Sequence, residues 1–152
     1  MFPPPVRSAL YIPANKDRAV EKARTLPCDR VIIDLEDAVA PEMKAEARGQ
    51  AIAAIAAGGF ASGAPILRVN GLDTAWGMDD IKATATSGAS AVLVPKVSSP
   101  AMLEEVRALL PSHIKLWAMI ETCAAILRID AIAATGKTTG LEGFVIGTND
   151  LA

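Results

Sequence analysis

Aromatic side chains are scarce in this sequence. Phe, Trp and Tyr make up 4% of its 152 residues, and the net charge is −2. A nucleic-acid groove wants a basic stripe and stacking rings, so the composition argues against that partner, although it leaves room for local basic patches. Cys28 and Cys123 are the only cysteines. Two are too few for a disulfide scaffold and have no metal-type spacing. They read as small buried apolar residues of a reducing compartment. No apolar run approaches the roughly 18 residues of a membrane span, so no membrane partner is expected. Residues 1–5, Met-Phe-Pro-Pro-Pro, lack the charged and apolar regions of a signal peptide. The expected location is cytoplasmic.

What is present is an ordinary globular mixture, 51% hydrophobic and 21% charged. The length suggests one domain. Short runs rich in Val, Ile and Leu alternate with Ala-rich stretches. Strands are predicted at 8–13, 30–35, 66–70, 91–96, 116–122 and 143–148, and helices at 17–25, 41–57, 74–87, 100–110 and 123–134. Near-continuous apolarity marks strands buried on both faces, as in parallel sheets. Pro41 and Pro100 suit first helical turns, Asp73 or Thr74 suits an N-cap, and Gly58, Gly88 and Gly136 suit left-handed stops after helices.

Strand–helix alternation without hairpin signals means βαβ units. A doubly wound sheet and a closed (β/α)8 barrel compete. A doubly wound sheet concentrates its site at one switch point, whereas a barrel gathers chemistry from many strand ends. Here five strands end in polar groups: Asp34 to Asp37, Arg68 to Asn70, Lys96, Glu121 with Thr122, and Thr148 to Asp150. That favours a TIM barrel. A complete one needs about 250 residues. Residues 1–152 are therefore expected to be the N-terminal portion of a single barrel domain, an incomplete barrel of about six β/α units. Truncation explains this better than a partner that closes the barrel.

Side chains alternate along a strand. If Glu121 points into the barrel mouth, so do Met119 and Trp117, while Ile120 and Ala118 face the helices. The same count pairs Arg68 with Asn70, and Thr148 with Asp150. Glu121 and Asp150 then converge on one rim without His or Cys, a donor set suited to Mg²⁺, which takes one or two carboxylates and completes its shell with water and substrate oxygens. Glu36 and Asp37 would hold those waters. Each acid taken alone is equally a solvated loop residue or a helix cap. Arg68, on a buried strand, must face a ligand or pair with a rim acid. As a ligand contact it would take a carboxylate or steady an enolate oxygen.

Basic residues cluster near the first helix: Arg7, Lys16, Arg18, Lys22 and Arg24. They form either a phosphate site or a solvated helix face. Gly136-Lys137-Thr138 looks like the end of a P-loop, but Ala131 stands where its glycine belongs and the segment follows a helix, so it is rejected. His113, the sole histidine, precedes the fifth strand, at the end of a barrel away from its chemistry, and reads as a surface residue. Trp76 either walls the mouth or packs in the core.

Six strings occur in order along the chain: RSALYIP at 7–13, IDLEDAVAP at 33–41, LRVNGLDT at 67–74, VPKV at 94–97, IET at 120–122 and IGTNDL at 146–151. Together they resemble the HpcH/HpaI aldolase and citrate lyase β-subunit family, in its CoA-ester lyase branch. The resemblance implies a (β/α)8 barrel in homotrimers or hexamers, or a subunit of a lyase complex. It implies Mg²⁺ held by Glu121 and Asp150, metal waters bound by Glu36 and Asp37, and Arg68 on the substrate carbonyl and enolate. Tyr11, Lys16 and Lys22 fall where family members contact coenzyme A. The expected activity is cleavage of a carbon–carbon bond in a 3-hydroxyacyl-CoA thioester such as citryl-, malyl- or methylmalyl-CoA. The competing readings are a CoA-independent 2-keto-acid aldolase and a catalytically inactive fragment or subunit.

Overall fold

A computed structural model describes residues 5–152, so most of the opening stretch used for the location reading lies outside the described residues. The strands are β1 (Ala9–Pro13), β2 (Arg30–Asp34), β3 (Ile66–Arg68), β4 (Ala91–Val94), β5 (Lys115–Ile120) and β6 (Leu141–Ile146). All pair in parallel, in the order β1-β2-β3-β4-β5-β6. The helices are α1 (Asp17–Ala23), α2 (Lys44–Ala57, after a 3-10 turn at Pro41–Met43), α3 (Gly77–Thr84), α4 (Pro100–Leu109), α5 (Cys123–Leu127), α6 (Ile129–Ala134), α7 (Gly136–Thr139) and α8 (Thr148–Leu151).

The core separates into two layers. Val31, Ile33, Leu67, Val92, Leu116, Ala118 and Ile120 pack with helix residues such as Val20, Ala47, Ile55, Ile81, Leu103 and Ile132. The alternate residues Ile32, Ile66, Ala91, Leu93, Trp117 and Met119 form a second cluster that contains no helix residue. Helices therefore cover one face only, and the sequential strand order curls the other face inward. This is an α/β half-barrel, an incomplete (β/α)8 barrel as the alternation predicts. Alanines at 47 and 51, both fully buried, keep α2 thin where it lies on the sheet.

Element ends depart from expectation for local reasons. β3 stops at Arg68 because the Asn70 amide donates to Asp80 on α3 at 2.9 Å rather than to a strand. β4 stops before Pro95, which has no amide hydrogen, and Lys96, which takes a positive φ of 49°. The predicted helix 123–134 is two helices, broken at Arg128 (φ −122°). Gly136 begins α7 rather than ending a helix; the left-handed stop is Gly140, φ 71°. Neither Asp73 nor Thr74 is the N-cap of α3, which begins at Gly77 after Trp76; Thr74, two residues before Trp76, accepts from the Gly77 amide at 3.2 Å. A register shift between Leu116 and Trp117 sets Gly143 opposite Trp117, so β6 runs from Leu141. Cys123 is exposed and Cys28 half-buried, contrary to the expectation of buried thiols. His113 is on the surface as expected.

Candidate active site

Inward-facing parity brings Asp34, Arg68 and Glu121 to the C-terminal ends of their strands. Asp34 and Arg68 are register partners. Arg68 Nε donates to Asp34 Oδ1 at 2.7 Å and Nη2 to Oδ2 at 2.6 Å, a bidentate pair of two buried side chains. Its Nη1 lies 2.8 Å from Glu36 and donates to Asp37 at 3.3 Å. The guanidinium also stands 5.4 Å from the Tyr11 ring centre, on β1. Burial opposes the Arg68 charge, but the hydrogen bonds and charges of Asp34, Glu36 and Asp37 outweigh it and raise its pKa. Asp34 uses its remaining capacity to shape the next turn, accepting from the Glu36 amide at 2.8 Å and the Ala38 amide at 3.2 Å.

Glu121 is buried at the end of β5. Its Oε1 accepts from the Lys96 amide at 2.8 Å, and the Lys96 ammonium donates to Glu36 Oε1 at 2.7 Å. Burial raises the Glu121 pKa; the charges of Glu36 and Asp150 push it the same way, and the Lys96 amide opposes them. Gly147 leaves room for this side chain: a Cβ there would stand 2.6 Å from Glu121 Cβ and 2.8 Å from Oε2. A pocket of about 400 Å³ opens over these groups, lined by Tyr11, Asp37, Arg68, Met119, Glu121, Gly147, Thr148, Asn149 and Asp150. A larger cavity, about 540 Å³, sits at the opposite end of the sheet beside Arg7, Arg30, Trp117 and Glu142, and gathers no comparable set of acids.

Two buried networks brace the rim. The Lys44 ammonium donates to the carbonyls of Leu35 and Glu36, both at 2.9 Å, and lies 5.3 Å from the Trp76 ring centre. Burial lowers its pKa. Asp80 accepts from the Asn70 amide nitrogens of main chain and side chain and from Arg48 Nε, at 2.9, 2.7 and 2.7 Å. Asn70 Nδ2 reaches back to Leu35 O at 3.1 Å. Asn70 therefore braces the turn after β3 instead of sharing the mouth with Arg68, as strand alternation predicted; alternation fails where the strand has ended.

Six of the eight residues singled out from the sequence meet at this rim. Tyr11, Asp37, Arg68, Glu121 and Asp150 line the pocket, and Glu36 is ion-paired behind it. Lys16 and Lys22 do not line it; they are exposed, at the start and in the last turn of α1. Of their basic neighbours, Arg7 pairs with Asp29 and Arg24 with Glu21. Asp150 arrives on a helical turn, not in strand alternation with Thr148. Asp34 and Lys96 stand out in the sequence only as polar strand ends, with no role of their own, and Gly147 has none. Asp34 had a signal, since the parity that turns Arg68 inward turns it inward too; the backbone of Lys96 and the closeness of Gly147 had none.

The donor set fits a hard divalent cation. Glu121 and Asp150 offer carboxylate oxygens, Glu121 has no side-chain cation hydrogen-bonded to it among the described residues, and the charge of Asp150 already disfavours its ionised form. A cation between them relieves that repulsion. Two carboxylates with water and substrate oxygens completing the shell is the usual arrangement for Mg²⁺; among the described residues no group of three or more acidic, His or Cys side chains is gathered to hold a metal ion. No helix among the described residues is long and apolar enough to cross a membrane.

Comparison with known proteins agrees with this architecture. The sequence profile of HpcH/HpaI aldolase/citrate lyase matches residues 7–152. A (3S)-malyl-CoA thioesterase of Cereibacter sphaeroides (strain KD131 / KCTC 12085) is 49% identical over 148 residues, covering 97% of this chain and 50% of that protein. An L-malyl-CoA/beta-methylmalyl-CoA lyase of Cereibacter sphaeroides (strain ATCC 17029 / ATH 2.4.9) is 31% identical over 160 residues, with 97% and 50% covered. The structure of a citrate lyase beta subunit from M. tuberculosis, complexed with oxaloacetate and magnesium, superposes with a TM-score of 0.77 at 27% identity, covering 93% of this chain and 58% of that one. The chain spans about half the length of the curated relatives it matches.

Proposed function

The chain belongs to the HpcH/HpaI aldolase/citrate lyase family, and from that premise we propose that it carries the N-terminal part of the active site of a Mg²⁺-dependent carbon–carbon lyase acting on a 3-hydroxyacyl-CoA thioester. Residues 1–152 form the N-terminal portion of one catalytic barrel in this reading. The observation that carries it is the meeting of Arg68, Glu121 and Asp150 in one pocket at the C-terminal strand ends, where barrels place their chemistry.

Cleavage breaks the C2–C3 bond of the acyl chain. The C3 hydroxyl loses its proton, its oxygen becomes the product carbonyl, and the electron pair of the broken bond passes into the thioester as an enolate. Arg68 would face the oxygen where that charge develops. Because Asp34 holds the guanidinium at two points, little reorganisation is needed as charge appears. A rim carboxylate would accept the hydroxyl proton, and Asp37, exposed and on the pocket wall, is our candidate for it. Glu121 and Asp150 would hold Mg²⁺, which supplies Lewis-acid polarisation of the forming carbonyl when bound. Glu36 and Asp37 would steady its water ligands. Tyr11, Lys16 and Lys22 would contact coenzyme A, the two lysines as exposed cations toward its phosphates. A homotrimer or hexamer, or a place in a larger lyase complex, completes the proposal, with a cytoplasmic location.

The thioesterase relative supports a second reading. Water would attack the thioester carbonyl, Arg68 would stabilise the tetrahedral oxyanion, and the coenzyme A thiolate would leave. Incubation of the protein with its complete barrel, malyl-CoA and Mg²⁺ separates the two. A lyase releases glyoxylate and acetyl-CoA without free thiol; a hydrolase releases malate and one equivalent of thiol. Glu121→Gln should abolish the lyase products. Lyase turnover that survives this change in full sinks the metal reading, and absence of both product sets sinks both activities.

A further inference from the structure

Lys96 is the one non-glycine residue with a positive φ, 49°, among the described residues. Left-handed backbone is uncommon outside glycine, and a non-glycine residue holds it only where the surroundings enforce it. Core packing does not explain it here, because the Lys96 side chain is 54% exposed. Two bonds do. The main-chain N–H donates to Glu121 Oε1, 2.8 Å away and 25 residues on, and the ammonium donates to Glu36 Oε1, 2.7 Å away and 60 residues back. Positive φ turns the chain that follows Lys96 while its N–H stays in the peptide plane shared with Pro95.

We propose that Lys96 is a positioning residue for the acidic rim: its main chain fixes Glu121, its side chain fixes Glu36, and together they set how far apart the ends of β2 and β5 hold their carboxylates. Main-chain donation to Oε1 leaves Oε2 of Glu121 as the oxygen without a protein donor, so the clamp selects which oxygen a divalent cation meets. The Lys96 ammonium draws Glu36 Oε1 aside while Oε2 remains toward Arg68 Nη1 at 2.8 Å. Glu36 is thereby shared between two cations and kept off Glu121. The part of this inference that concerns the cation rests on the metal reading above; the clamp itself does not.

Two measurements on the chain separate these layers. In amide NMR spectra of the metal-free protein, the residue 96 signal should shift on Glu121→Gln, which weakens the acceptor. A signal that stays in place overturns the clamp. Mn²⁺ binding, followed by the loss of the free-ion electron paramagnetic resonance signal, should weaken about tenfold in Lys96→Gly, the size expected for a group that orients a ligand. Lys96→Arg, which keeps a cation, should recover most of it. Lys96→Gly loses the ion pair to Glu36 but relieves the positive φ, so its melting temperature should change little. Unchanged Mn²⁺ affinity with a lowered melting temperature would make Lys96 structural only and overturn the proposal. If the parent itself fails to bind Mn²⁺ while the residue 96 signal still moves, the clamp stands and the metal reading falls.

Discussion

Asp34 and Arg68 sit directly across from each other on β2 and β3, joined by two hydrogen bonds of 2.7 and 2.6 Å, and both are buried. The pair turns a strand contact into the floor of the candidate site. Removing one partner strands the other charge. Arg68→Met should therefore destabilise the chain by about 3–5 kcal/mol, the usual cost of breaking a buried pair, measured by urea unfolding. Arg68→Lys keeps the charge but cannot reproduce the fork, and should fall between parent and Met. The double variant Arg68→Met/Asp34→Leu should recover part of the loss. Equal stability of Arg68→Met and the parent would mean the pair contributes nothing.

Gly147 offers a steric test of Glu121. Its φ of −86° is open to alanine, so only the close approach to Glu121 Cβ and Oε2 opposes a methyl group. Gly147→Ala should displace the carboxylate and weaken Mn²⁺ binding by roughly tenfold or more, in the range found when a ligand's support is disturbed. Titration calorimetry reads this directly. Gly49→Ala, in a position where a Cβ meets nothing, should leave binding unchanged.

Acid sensitivity should arise at the other end of the sheet. Asp29 accepts from the Arg7 main chain and guanidinium and from the Ser8 amide, at 2.7 to 3.2 Å. The side-chain hydrogen bond from Arg7, then its main-chain bond, holds the Asp29 carboxyl below its ordinary 3.8. A depressed carboxylate stabilises the fold fully above its unfolded pKa, and that stability is lost as pH falls through the lower folded value. Asp29→Asn should thus lower the melting temperature at pH 7. The gap from the parent should narrow as pH falls below about 4, where the unfolded carboxyl protonates. A gap that stays constant down to strongly acid pH would exclude the linkage.

The outer face of β6 leaves Phe144 and Ile146 exposed, and Leu127 on α5 is 87% exposed. The sheet also ends in two unpaired edges, β1 and β6. Exposed edges and apolar faces invite association. Light scattering after size exclusion should find the chain self-associated at micromolar concentration, and the double variant Leu127→Glu/Ile146→Lys should shift it toward monomer. A monomeric parent would contradict this.

Most of the architecture was legible before any coordinates. Hydrophobic runs and Ala-rich stretches alternate, so parallel strands with helices between them were foreseeable, and all six strands fall within the predicted segments or overlap them. Arg68 was expected either to pair with rim acids or to meet a ligand. The first is what the fold shows, with Asp34 as its main partner. The acid pair at Glu121 and Asp150 was expected to share a rim, and both line one pocket. Less legible was anything governed by backbone shape: the break at Arg128, the end of β3 imposed by Asp80, and the helical turn that carries Asp150.

Along the strands, though not past their ends, the amino-acid order alone determined which residues face inward, because alternation along a buried strand is a local property of the chain. It therefore determined that Asp34, Arg68 and Glu121 would share one face. Only the tertiary structure decided how that face is wired. The Lys96 amide meets Glu121 because the chain leaves β4 at Pro95 beside the end of β5, and Gly147 matters because the end of β6 passes within contact of Glu121. Both facts join residues 25 or 26 positions apart through space. No local pattern encodes such a distance; the curvature of the sheet does.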